Sequence, residues 1–435
     1  MEQERVRKRK SKNKKMNIKP LIYAVAGIAV VVLGWFSISN ASFGSPAKVT
    51  YGAESKTAYS IYDNGYIQYS ISGAKYFKNA DKMIWSDSYT MTAPVAQKDG
   101  DYTVIFESEG RTIRLYNSDG LVYSVQTNDP ILNLSLNENG YVSVVTSSDT
   151  YYVVVYSASG NMLFQRVEAE TGVYPVSCDV SPDGSVAAIS YIDTTGIGIE
   201  SKIGMFYVNS AEGKDYENSM FLAVEKYDEI VFEIYFTGAD SLVAIGDRNV
   251  FSLSTKGVEQ WAVEMTNQIT NVGRCADKIA IVYGSELSDK DGEAVGTLIY
   301  ISSKGKVTKG YSIGQGADYM TCSNGGVVIG SGTKYYGINS SGKMVWSLNT
   351  HGDVTDIYPT KNINTCIYVT KTWAIKTNMT EFDVNQYSGS VETDDEADDL
   401  EEVDTDNIAE DAVEENVDNP PAEGGEESDG NNSQE

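Results

Sequence analysis

The chain has 435 residues, with 34 Lys and Arg against 61 Asp and Glu and a formal net charge of −27. A balance this acidic argues against binding nucleic acid or anionic lipid through the body of the chain, since both need a basic footprint. One histidine and four separated cysteines leave zinc sites and histidine-based nucleophilic catalysis without their usual parts.

The charge is unevenly spread. Residues 1–20 carry nine Lys or Arg against Glu2 and Glu4, and this basic segment abuts residues 21–38, eighteen positions without a charge. That run is long enough to cross a bilayer as a helix, and Trp35 and Phe36 near its far end suit an interfacial aromatic belt. The basic flank predicts a transmembrane signal-anchor over 21–39, the N-terminus in the cytoplasm and the rest outside. Cleavage after Ala41 is the alternative, because Ser39 and Ala41 are both small. Against cleavage, the apolar run exceeds the core of a signal peptide, about 7–15 residues. No cysteine lies nearby to carry a lipid.

After a connector at 40–46, residues 47–378 are organised by one repeated unit, clearest at 335–348. It reads as a strand, a tight polar turn ending in Gly342, and a second strand carrying Trp346. Copies end at Gly120, Gly160 and Gly257, weaker ones at Gly213 and Gly305, and Asp81 fills the glycine slot of the first. The spacing of these slots centres on roughly 40–45 residues, the length of a four-stranded propeller blade. Four residues past the slot stand Trp85, Phe164, Trp261 and Trp346, where a large ring can wedge between blades. The glycine is explained by a hairpin turn that needs positive φ.

A second series of turns is interleaved with the first: Asn64-Gly65, Asp99-Gly100, Asn139-Gly140, Asp183-Gly184 and Asn324-Gly325. Asp240, Asp277 and Lys361-Asn362 fill the same place more weakly. The expected fold is therefore all-β, a propeller of four-stranded antiparallel blades, eight preferred and seven the alternative. The last blade supplies only three strands, at 354–359, 365–370 and 371–376. Residues 47–51 are a strand without a partner and are expected to complete it, which would leave no open blade edge.

This Gly-x-x-x-Trp pattern resembles the blades of quinoprotein-alcohol-dehydrogenase-like propellers over about residues 47–378. The whole layout is similar to a bacterial family of unknown function with one membrane anchor and one propeller. The pattern departs from the quinoprotein repeat where its usual Asp is Ile338 and its usual Ala is Tyr336. The adjacent cysteine pair of quinone-dependent dehydrogenases is also missing. The resemblance thus implies a blade, with no cofactor.

Composition changes again at Val391. Residues 391–435 hold twenty Asp or Glu and no Lys or Arg, too little apolar surface to fold alone. An acidic disordered tail is expected over 379–435.

Candidate sites are few. His351 beside Gly352 reads as a loop residue. Cys178, Cys275 and Cys322 share one repeat position and, with Cys366, are expected as free thiols, since equivalent positions on adjacent blades lie too far apart to bridge. Asp289, Asp291 and Glu293 resemble a fragment of a calcium loop, but the remaining ligands do not follow, and a solvated loop is the plainer reading. Some of the thirty tyrosines could stack on sugars or peptides at a propeller face. Loops 193–202, 213–228 and 285–296 are long and are expected on one face, where an unknown protein or glycan partner would bind. The function expected is a non-catalytic binding or scaffolding module of the bacterial envelope. A quinoprotein-like oxidoreductase or propeller hydrolase is the alternative, and an envelope sensor a second.

Overall fold

Strands and tight turns alternate through the body of the chain, and in the computed structural model of the protein they assemble into eight four-stranded antiparallel sheets. The structure describes residues 49–50, 57–62, 65–78, 82–208, 210–265, 267–275, 278–285, 295–313, 317–350 and 354–383. By internal contacts the chain divides into two units, Met1–Phe382 and Asp383–Glu435. The sheets belong to the first, and of the second only Asp383 is described.

Seven blades are continuous in sequence, at 58–88, 94–126, 131–168, 173–227, 231–264, 269–313 and 319–349. The eighth joins Val354–Pro359, Thr365–Thr370 and Trp373–Asn378 to Val49–Thr50. Val49 lies opposite Ala374 and Thr50 opposite Trp373, antiparallel. The N-terminal segment thus supplies the outermost strand of the last blade.

The first strand of each blade is innermost. Those of blades 1 and 2, 2 and 3, 3 and 4, 4 and 5, 6 and 7, and 7 and 8 touch, and that of blade 8 returns to blade 1. Blades 5 and 6 are joined by Tyr235, Val243 and Ile245 packing on Ile279 and Ile281. The second and third strands are continuous apolar runs such as Tyr151–Tyr156, because neighbouring blades cover both their faces. Outer strands such as Met162–Glu168 alternate between exposed and covered positions.

The turn before the outer strand repeats to the atom in blades 3, 5, 6 and 7. Gly160, Gly257, Gly305 and Gly342 have φ between 75° and 82°. Each donates its N–H, at 2.8–2.9 Å, to the carbonyl three residues earlier, on Ser157, Ser254, Ser302 or Asn339. The side chain of that Ser or Asn accepts the N–H one residue past the glycine. Blade 2 differs: Asn117 pairs directly with Gly120, a two-residue turn with φ 134°. Gly213 departs altogether, closing the short helix Ser210–Gly213, which is followed by the 3-10 turn Glu217–Ser219.

The anchor segment 21–38, Asp81, His351, the cluster Asp289, Asp291 and Glu293, and the tail 391–435 lie outside the described residues. Among the described residues no helix is long and apolar enough to cross a membrane, and no group of three or more acidic, Cys or His side chains is placed to hold a metal ion.

Candidate binding surfaces at the two ends of the ring

Antiparallel blades give the ring two ends. The connections between first and second strands and between third and fourth strands form one, here the turn end. The connections between second and third strands, with the links from blade to blade, form the other, here the loop end.

Residues 194–199 project from the loop end of blade 4, between Val186–Asp193 and Glu200–Tyr207. Asp193 shapes the exit by accepting the Thr195 N–H at 2.9 Å and its hydroxyl at 2.6 Å. In blade 6 Ser285 pairs with Val295, which puts the connection between them at the same end. Residues 213–228 are placed otherwise, and the expectation of one long loop there is corrected. Met220–Tyr227 is the outer strand of blade 4, and the connection before it, 208–219, leaves from the turn end. The reason is legible in Leu222, Val224 and Lys226, which alternate inward with exposed neighbours, as an outer strand does.

The loop end also carries exposed apolar side chains on four adjacent first strands. Val95, Leu132, Tyr174 and Phe232 are each 38–54 % exposed near the start of their strands. A β-bulge falls at Leu132, between Ile131 and Asn133, and another at Phe232, between Val231 and Glu233. Such an extra residue is turned out of the ladder, which accounts for large apolar groups in solvent. Ile197 and Ile199 of the projecting loop are exposed beside them on blade 4. Blades 2–5 therefore present an apolar crescent at this end.

A central cavity of about 1500 Å³ lies among the first strands toward the turn end. Arg274 of blade 6 reaches into it and stands 3.7 Å from Asp99 of blade 2, with the Tyr235 ring 4.0 Å away. Asp179 of blade 4 is buried and accepts the Ser135 hydroxyl at 2.8 Å and the Phe236 N–H at 2.7 Å. Burial pushes the carboxyls of Asp99, Asp179 and Glu233 above their ordinary range, and the positive charge of Arg274 pulls each part of the way back. With its one central guanidinium already committed to carboxylates, the cavity reads as a braced interior.

The aromatic series is distributed between blades. Phe164, Trp261 and Trp346 stand opposite Val155, Ser252 and Gly337, each beside a β-bulge. Trp261 packs beneath Gly305 of the next blade and donates its indole N–H to the Ser303 carbonyl at 3.0 Å. Trp346 donates to the Ile363 carbonyl at 2.7 Å, and Trp85 stacks on Tyr116 at 5.2 Å. Blade 2 has its own ring, Tyr123, beneath Gly160; the shorter turn puts it three residues past Gly120, so the fixed spacing passed over it. The four cysteines are free thiols, Cys178, Cys275 and Cys366 buried and Cys322 half-buried.

Sequence reasoning missed the cavity charges. Their signal was present: Asp179 between Cys178 and Val180, Glu233 between Phe232 and Ile234, and Arg274 beside Cys275 are ionic groups inside otherwise apolar strands. The bulged first strands were not legible, because a bulge leaves no fixed composition.

The family described as "Family of unknown function (DUF5711)" matches residues 44–377. Among curated proteins none matches the chain. Among solved structures, BamB from Moraxella catarrhalis is similar at 12 % identity and a TM-score of 0.45, covering 76 % of this chain and 98 % of its own. Kluyveromyces lactis Hsv2 is similar at 11 % and 0.42, over 68 % and 99 %. The hydrazine synthase of Kuenenia stuttgartiensis is similar at 13 % and 0.43, over 66 % and 95 %.

Proposed function

The chain belongs to this family of unknown function, DUF5711, and we propose that it is a membrane-tethered, extracytoplasmic propeller that binds an apolar segment of a partner protein at its loop end. The tether is residues 21–38, with the basic segment on the cytoplasmic side and the acidic tail solvated outside. Quinoprotein-like blades are reused in this reading as a non-catalytic scaffold. The observation that carries it is the crescent of Val95, Leu132, Tyr174 and Phe232. Grouped exposed apolar side chains on a rigid body are disfavoured unless something covers them, and loops on rigid scaffolds are where binding concentrates.

The test is a selection from a random peptide library displayed on phage, run in parallel with a panel of peptidoglycan fragments. Extended apolar peptides should be enriched on the purified chain and lost on a Leu132→Glu, Phe232→Glu variant that melts normally. Peptides retained by that variant, or binding by glycan fragments alone, would overturn the protein-partner reading.

A further inference from the structure

We propose that the protein segment received by the apolar crescent is cationic as well as apolar, with lysine or arginine beside its apolar side chains. This rests on the binding reading above and names the chemistry of its partner. The loop-end connections of blades 2–5, from residue 89 to residue 248, all fall within the described residues. Their exposed charged side chains are Glu109, Asp149, Glu170, Asp228 and Asp247 against Arg111 and Arg248, and they contain no lysine. The rim of the crescent is therefore acidic.

The carboxylates stand beside the crescent itself. Glu109 donates its backbone N–H to the Ile131 carbonyl at 3.1 Å, one residue from Leu132. Asp247 accepts the Ile230 N–H at 2.8 Å and returns its own N–H to the Ile230 carbonyl at 3.0 Å, two residues from Phe232. Glu170 and Asp228 each lie four positions before a crescent residue, Tyr174 and Phe232, in the link that leads into its strand. An apolar face rimmed mainly by one sign of charge selects partners by that sign. Complementary charge steers the encounter, and like charge brought against it is penalised.

The same charge sorts the candidate occupants. A second copy would bring a like-charged rim against this one. The chain's own residues 391–435 carry twenty Asp or Glu and no Lys or Arg, so they too are repelled. The basic residues 1–20 lie across the membrane in the tethered reading. The occupant left is a separate protein, whose apolar side chains cover Leu132 and Phe232 while cations on either side meet Glu109 and Asp228.

Selection from the random phage-displayed library tests this when it is run at about 0.05 M and at about 1 M salt, the latter shortening the screening length to about 3 Å. At low salt the selected peptides should carry Lys or Arg beside their apolar residues at least several-fold more often than the starting library. That bias should vanish at high salt and on a Glu109→Gly, Glu170→Gln, Asp228→Gly variant, while apolar peptides remain selected. Glu109 and Asp228 have φ of 58° and 56°, so glycine fits both positions without strain and the variant should fold. A Leu132→Ser, Phe232→Ser variant should lose basic and neutral peptides alike. Basic peptides that survive it would show a general attraction to an acidic protein and overturn the inference. Apolar peptides without a basic bias at low salt would also overturn it and leave the binding reading standing. A synthetic peptide of residues 391–435 that binds the crescent would overturn it in favour of the chain's own tail. No enrichment of apolar peptides at either salt concentration would overturn both readings.

Discussion

Arg274 and Asp99 meet across the centre of the ring, the guanidinium of blade 6 lying 3.7 Å from the carboxylate of the diametrically opposed blade 2. Neighbouring blades are held by buried apolar clusters, whereas this ion pair is a crosspiece between opposite blades. Asp179 and Glu233 depend on the same positive charge. Arg274→Met should therefore cost more than one exposed ion pair. Both members of the pair are about a third exposed, which limits the loss to about 1–2 kcal/mol at neutral pH. Chemical denaturation of the variant measures it, and a change within the error of the wild type would show that the crosspiece does nothing.

The buried carboxyls also fix a pH dependence. Burial raises Asp99, Asp179 and Glu233 in the folded protein, against the countering charge of Arg274. A group raised on folding binds its proton more tightly in the native state. Its contribution is complete below the unfolded value, about pH 4, and is lost as pH rises through the folded value. Asp183 is lowered, as hydrogen bonds from Ser181 and Ser185 outweigh its burial, and Asp193 is lowered by Thr195. Those two cost stability only as pH falls toward about 4 and below. The melting temperature should therefore rise as pH is lowered from about 7.5 to about 5, and Asp179→Asn and Glu233→Gln should each flatten the rise. A profile that falls over this window and ignores both substitutions would contradict the assignment.

Much of this architecture is legible in the sequence. Gly160, Gly257, Gly305 and Gly342 mark their turns because only a residue tolerant of positive φ fits there, and residue type records that demand directly. Gly213 misled for the converse reason: a glycine followed by polar residues is equally at home at the end of a short helix. The placement of 213–228 failed with it, since a missed helix moved the strand boundary. The candidate surfaces were less legible. The Arg274–Asp99 contact joins residues 175 positions apart through the closure of the whole ring, and the apolar crescent of Val95, Leu132, Tyr174 and Phe232 appears only when four blades are laid side by side. Local pattern carries strand and turn, whereas clustering across blades is a property of the ring.

The interblade aromatics should differ in a way their environments dictate. Trp346 is 5 % exposed and donates to the Ile363 carbonyl of blade 8, so Trp346→Ala should cost about 3–5 kcal/mol. Trp346→Phe should lose chiefly the hydrogen bond, about 1–2 kcal/mol. The Trp85 indole N–H has no hydrogen-bond partner among the described residues, and its ring is held by stacking on Tyr116. Trp85→Phe should then be tolerated within about 1 kcal/mol. Equal losses for the two Phe variants in thermal melts would show that the indole N–H of Trp346 is not what distinguishes these positions.

Closure of the ring rests on Val49–Thr50, which completes the last blade from the other end of the chain. Without this strand, Trp373–Asn378 would present unpaired backbone groups at an open blade edge. The pairing is short, Val49 to Ala374 and Thr50 to Trp373, so its loss should remove about 1–3 kcal/mol from the net worth of a few backbone hydrogen bonds. Replacing residues 47–51 of the full chain by Gly-Ser repeats should lower the melting temperature clearly, whereas the same replacement at 42–46 should not. Hydrogen exchange localises the effect: the amides of Trp373–Asn378 should lose protection first, ahead of those in blade 4. Unchanged melting and unchanged exchange after replacement of 47–51 would mean that the last blade is closed without its N-terminal strand.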